Sequence, residues 1–147
     1  MENAKPVQDE RVMAGLSHLG ILLPMWGLIM SVLIWVTQKD KSDYVRRQAI
    51  QAVAWQVAFI GGMFAMMGCY MLSFFGSFGG IFLATNDPST LDGPPAFFFL
   101  PFAVMGCFFM VMLLFIAVGI WGAVRSFQGQ MFLYPLLGSR VDNYMMG

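Results

Sequence analysis

Residues 97–124 read FFFLPFAVMGCFFMVMLLFIAVGIWGAV, twenty-eight positions without one Asp, Glu, Lys or Arg. A helix rises about 1.5 Å per residue and the hydrocarbon core of a bilayer is about 30 Å thick, so roughly 20 such residues suffice to cross it. Two more uncharged windows lie upstream, at residues 12–38 and 48–86. The whole chain has 147 residues, of which 59% are hydrophobic and 11% charged, with a mean hydropathy of +0.70. Soluble domains carry about 25% charged residues, and a chain this short could not hide so much apolar surface in a core of its own.

The charges sit between and around the windows. An Asp, Lys or Arg at mid-bilayer costs about 2.5–3.5 kcal/mol, which confines them to connectors. Lipid offers no partner to an open backbone group, and three spans cannot close a β-barrel, so the crossings must be helical. The expected fold is all-α: one polytopic membrane domain over residues 1–147 with three transmembrane helical regions. These are 12–38, 48–72 and 97–124, with a polar N-terminal tail over 1–11, an external loop over 84–96 and a C-terminal tail over 125–147. The aromatic, Gly-rich stretch at 73–83 is expected at the outer interface, and the turn formers from Asn86 to Pro95 mark the loop.

Pro24 sits in the middle of the first window, where its ring removes a backbone hydrogen bond and kinks or breaks the helix. A kinked crossing is the preferred reading, because each half is too short to span alone; a re-entrant segment with the N-terminus inside is the alternative. Residues 39–47 carry Lys39, Lys41, Arg46 and Arg47 against Asp40 and Asp43, whereas 84–96 has no base. The positive-inside rule makes the first connector cytoplasmic and the second external, in a multi-pass protein of the bacterial inner membrane. Three crossings would leave the N-terminus outside, against its own Lys5 and Arg11. The first eleven residues hold three acids against two bases, unlike a signal peptide, so the first window is expected to be retained.

Candidate functional residues fall into four groups. Ala54, Ala58 and Gly62 recur every four positions and line one helix face, with Gly76 and Gly80 repeating the spacing; such stripes let a second backbone approach, either within the chain or on another membrane protein. His18, Gln48, Gln51 and Gln56 are polar groups inside apolar windows. They are expected to hydrogen-bond between helices, and His18 is also a formal axial ligand for a haem or chlorin. Met63, Met67 and Met71 share a face, a spacing that suits Cu(I) but equally suits adaptable apolar packing. Cys69 and Cys107 read as small packing residues. Catalysis is unsupported: one His has no carboxylate in its window, and neither a Gly-Lys-Ser/Thr phosphate loop nor a His-Glu-x-x-His pair occurs. Eight bases balanced by eight acids speak against nucleic acid.

Asp9-Glu10-Arg11, Ala14, Leu16, His18-Leu19, Leu33-Ile34-Trp35, Lys39-Asp40, Ala52 to Gln56, Gly129 and Tyr134-Pro135 follow, in order, motifs of a group of small bacterial membrane proteins. On these the chain resembles domain-of-unknown-function family forty-eight-seventy, itself similar to the Tic-twenty-like proteins of chloroplast import. The resemblance runs from about residue 9 to 140 and implies a Tic-twenty-like helical bundle and a membrane address, without an agreed activity. Where members carry Asn and His, this chain has Ala54 and Gln48. The function expected is that of a non-enzymatic accessory or assembly subunit, in the lipid bilayer and docked on a larger membrane complex. The rival is transport, as part of a polypeptide-translocation path or as a Cu(I) conduit.

Overall fold

The computed structural model describes residues 5–84, 96–135 and 137–146, and all regular structure among them is helical. The order is α1 (Gln8–Leu19), a 3-10 turn (Gly20–Leu22), α2 (Pro24–Gln38), α3 (Asp43–Ala84), a second 3-10 turn (Ala96–Phe99), α4 (Leu100–Phe127) and α5 (Gly138–Met146). Of the loop expected over 84–96, residues 85–95 lie outside the described residues.

Among the described residues two helices are long and apolar enough to cross a membrane, Asp43–Leu83 and Phe97–Phe127. Only 11% and 6% of their most apolar windows are buried, whereas the core helix of a soluble protein would be mostly covered. Residues 48–72 do not stand alone as a span: α3 runs on to Ala84, because the glycines of 76–80 are tolerated in a helix and no proline interrupts it.

The first window differs from a single kinked helix. The Glu10 carboxylate accepts the Val7 N–H at 2.9 Å, and the acids of the first turn favour the positive end of the helix dipole, so α1 starts at Gln8. Pro24 excludes Leu23 from helical backbone geometry, and Leu23 stands at φ −128°, ψ 75°. Pro24 is then well placed as the first residue of α2. Between the two helices the chain doubles back: Ser31 Oγ donates to the Ser17 carbonyl at 2.8 Å, and Gly27 lies against the backbone of Gly20 so closely that neither position has room for a Cβ. The pairs Ser17–Ser31 and Gly20–Gly27 define an antiparallel helical hairpin. Lengths of 12 and 15 residues make its arms about 18 and 22 Å long, less than a hydrocarbon core.

The chain divides into two compact units, Met1–Ile60 with Leu114–Gly147, and Gly61–Leu113. The first contains every buried aliphatic or aromatic side chain among the described residues apart from Pro101: Ala14, Ile21, Val45, Ala49, Ala52, Trp55, Phe59, Ala123 and Tyr134. On α3 the buried positions 45, 48, 49, 51, 52, 55, 56 and 59 form one helical stripe facing the hairpin and α4. Trp55 is stacked between Phe115 of α4, at 4.4 Å, and Tyr134, at 4.5 Å. Gly129, at φ +74°, turns the chain after α4 so that residues 130–135 return over this core. The second unit has its large side chains outside, among them Phe64, Leu72 and Phe82, each more than 70% exposed. Its internal contacts are small: Ser77 Oγ donates to the Ser73 and Phe97 carbonyls at 2.8 Å, and Phe97 packs on Gly80.

Candidate functional site

The polar residues of the apolar windows converge inside the first unit. His18, Gln48, Gln51 and Gln56 are all at most 1% exposed. α1 supplies Ser17 and His18, α2 Ser31, α3 the three glutamines, α4 Ser126, and the returning segment Tyr134. Their hydrogen bonds fix the protonation pattern. Gln48 Nε2 donates to Met131 Sδ at 2.8 Å and to the Phe132 carbonyl at 3.4 Å, so Gln48 Oε1 is turned the other way and can only accept. It accepts from Ser126 Oγ at 3.1 Å and from His18 Nε2–H at 2.8 Å. His18 Nδ1 therefore carries the lone pair and accepts the Tyr134 hydroxyl at 2.7 Å. Burial pushes the Tyr134 phenol up, which keeps it a donor.

A second knot ties the hairpin down. Gln56 Nε2 donates at 3.0 Å both to the Ser17 carbonyl and to Ser31 Oγ, which itself donates to the Ser17 and Gly27 carbonyls. Gln51 Nε2 donates to the Gly138 carbonyl at 2.8 Å, fixing the start of α5, and the Tyr44 hydroxyl donates to the Ser126 carbonyl at 2.9 Å. Gln51 Oε1 and Gln56 Oε1 are buried without a partner.

This arrangement holds helices together and offers little chemistry. No carboxylate, lysine or arginine enters it among the described residues, so nothing activates a nucleophile or poises a base. Both ring nitrogens of His18 are engaged by side chains of the same chain, which leaves neither for a haem or chlorin. No group of three His, Cys, Asp or Glu comes together among the described residues. Of the methionine face, Met63 is half-buried while Met67 and Met71 are exposed. Met66, Met67, Tyr70, Met105 and Phe108 line a shallow apolar pocket in the second unit. Cys69 and Cys107 are free and exposed, not packed inside as their composition suggested.

The small-residue stripe lies apart from this cluster. Ala54, Ala58 and Gly62 are half-buried, Gly76 is exposed, and a Cβ added at Gly62 or Gly76 would meet nothing. Ala14, Gly20, Gly27, Ala49 and Ala52 are small residues that lie buried in the first unit's packing beside the cluster. Sequence reading alone did not join Ser31, Ser126 and Tyr134 to the cluster. The near-symmetric placing of Ser17 and Ser31 about Leu23-Pro24 was the available signal for the hairpin.

A small helical membrane protein with a neutral, hydrogen-bonded core and two outward-facing apolar helices is what these features define. Residues 9–141 match the model of the Magnetosome magnetite crystal formation protein family, and the chain belongs to that family. No curated protein and no solved structure matches it. The match corrects the expected kinship with domain-of-unknown-function family forty-eight-seventy and the Tic-twenty-like proteins. The motifs behind that expectation include His18, Trp55, Gln56 and Tyr134. All four lie in the buried core of this chain, where their residue types serve helix packing.

Proposed function

We propose that this chain is a non-enzymatic membrane protein that supports the formation of magnetite crystals from within the membrane around them. The family match over residues 9–141 carries the reading. A buried polar cluster with every His18 nitrogen engaged, and without a charged group among the described residues, supports a structural role over a catalytic one. α3 and α4 cross the bilayer, and the α1–α2 hairpin enters it and returns. In this topology Lys5, Arg11, Lys39, Lys41, Arg46, Arg47, Arg125 and Arg140, all eight bases of the chain, share the cytoplasmic side, while the loop at 84–96 holds only Asp87 and Asp92. The N-terminal conflict of the three-crossing scheme thereby disappears. The chain acts by docking onto other proteins of the same membrane, through the half-buried face of Ala54, Ala58 and Gly62, where a Cβ added at Gly62 would meet nothing.

Deletion of the gene in a magnetite-forming cell, followed by electron microscopy of the crystals, tests the reading. The expected result is a change in crystal size or number that the wild-type chain restores. Crystals indistinguishable from wild type in the deletion strain would overturn it.

A further inference from the structure

We infer that the α1–α2 hairpin is a wedge in one leaflet, which gives the protein a preference for membrane that bulges toward the cytoplasm. The inference rests on the re-entrant topology proposed above and adds an activity to it. Depth is read from what the hairpin tip touches. Gly20 packs against Gln56, nine residues beyond Arg47 on α3, and Ile21 packs against Gly119, six residues short of Arg125 on α4. At about 1.5 Å per residue the tip thus lies about 14 Å and about 9 Å below the two basic levels, no deeper than the midplane of a core about 30 Å thick.

The hairpin's surface fits that depth. Leu22, Leu23, Met25 and Trp26 around the tip are 52% to 75% exposed, and Ile29, Leu33 and Val36 continue the apolar face along α2. The far ends are wet: Asp9, Glu10 and Arg11 open α1, and Lys39, Asp40 and Lys41 follow α2. Acyl chains are the occupant that matches an apolar tip flanked by charged ends. In the cytoplasmic leaflet the chain therefore inserts four helical segments, and in the other only α3 and α4 are long enough to enter. Two extra helices about 10 Å across add roughly 160 Å² of cross-section to one leaflet. Expanding one leaflet favours curvature that is convex on that side, as interfacial helices do.

The test uses the full-length chain, with a protease-cleavable tag at its N-terminus, reconstituted into phosphatidylethanolamine and phosphatidylglycerol vesicles of graded diameter. The fraction of tags open from outside is read by protease digestion. A wedge raises the outside-to-inside ratio several-fold as the vesicles shrink, because their outer leaflet is the expanded one. The tip variant Leu22→Asn, Leu23→Asn, Trp26→Gln changes only exposed side chains. It should lose that dependence while keeping the near-ultraviolet dichroism of the Trp55 stack. A wild-type ratio independent of diameter, or a tip variant that keeps the full dependence, overturns the wedge. A second tag at residues 39–42 separates the two claims. If it lies on the opposite side from the N-terminus, the re-entrant topology itself fails; if it lies on the same side and the ratio stays flat, the wedge alone is wrong.

Discussion

Replacing Tyr134 by Phe removes one oxygen atom and leaves the ring, so the stack on Trp55 at 4.5 Å is kept while the hydroxyl that donates to His18 Nδ1 at 2.7 Å is lost. His18 is fully buried, and its other nitrogen stays committed to Gln48 Oε1. The vacated Nδ1 is then a buried acceptor without a partner, which costs about 1–3 kcal/mol. At about 1.4 kcal/mol per tenfold, the unfolding equilibrium constant rises about five-fold to over a hundred-fold. Reversible unfolding in mild detergent, followed by tryptophan fluorescence, measures this. Tyr70→Phe is the control, a half-buried ring on the second unit whose substitution should stay within about 0.5 kcal/mol. A double-mutant cycle with His18→Ala should give a coupling of about 0.5–3 kcal/mol. If Tyr134→Phe costs no more than Tyr70→Phe, or if the cycle shows no coupling, the hydrogen-bonded cluster does not hold the first unit together and the reasoning fails.

Three further outcomes are expected. Gly27→Leu drives a side chain into the Gly20 backbone, so the hairpin must open; accumulation in the membrane, read by immunoblot, should fall sharply, whereas Gly106→Leu, which meets open space, should accumulate normally. Ala58→Leu should weaken association with a partner several-fold to over a hundred-fold, from the about 1–3 kcal/mol cost of overpacking, and leave insertion intact; Leu72→Ile is the control, and unchanged co-purification would show that this face meets lipid. Replacing Met63, Met67 and Met71 together by Leu should leave bound copper and copper tolerance unchanged, measured by elemental analysis and growth, and a loss of either would favour the Cu(I) conduit.

α3 and α4 were legible from composition, because each holds an uncharged apolar run long enough to cross a bilayer. The hairpin was not, since hydropathy is the same for a kinked span and for two antiparallel arms. What separates them is a backbone approach of Gly20 to Gly27 and a bond from Ser31 to Ser17, both properties of residues with little hydropathic signal. The buried polar residues were found one by one. Their assembly was hidden because His18 and Tyr134 lie 116 positions apart and Gln48 and Ser126 lie 78 apart, and no periodicity links such pairs. The helix that carries residues 48–72 runs on to Ala84. Gly76 and Gly79 have open space around them and Gly80 carries the Phe97 ring, and none of the three ends the helix.

Crystal dimensions in a deletion strain complemented with wild type, Tyr134→Phe, His18→Asn or Gln48→Leu separate a cluster that serves structure from one that performs catalysis. Electron microscopy gives the crystal size, and quantitative immunoblotting of membranes gives the amount of folded chain. Crystal size should follow the amount of inserted protein along one curve for all four. A His18 variant that accumulates and unfolds like wild type but leaves the crystals as in the deletion strain would contradict it, because that side chain would then have a chemical task of its own.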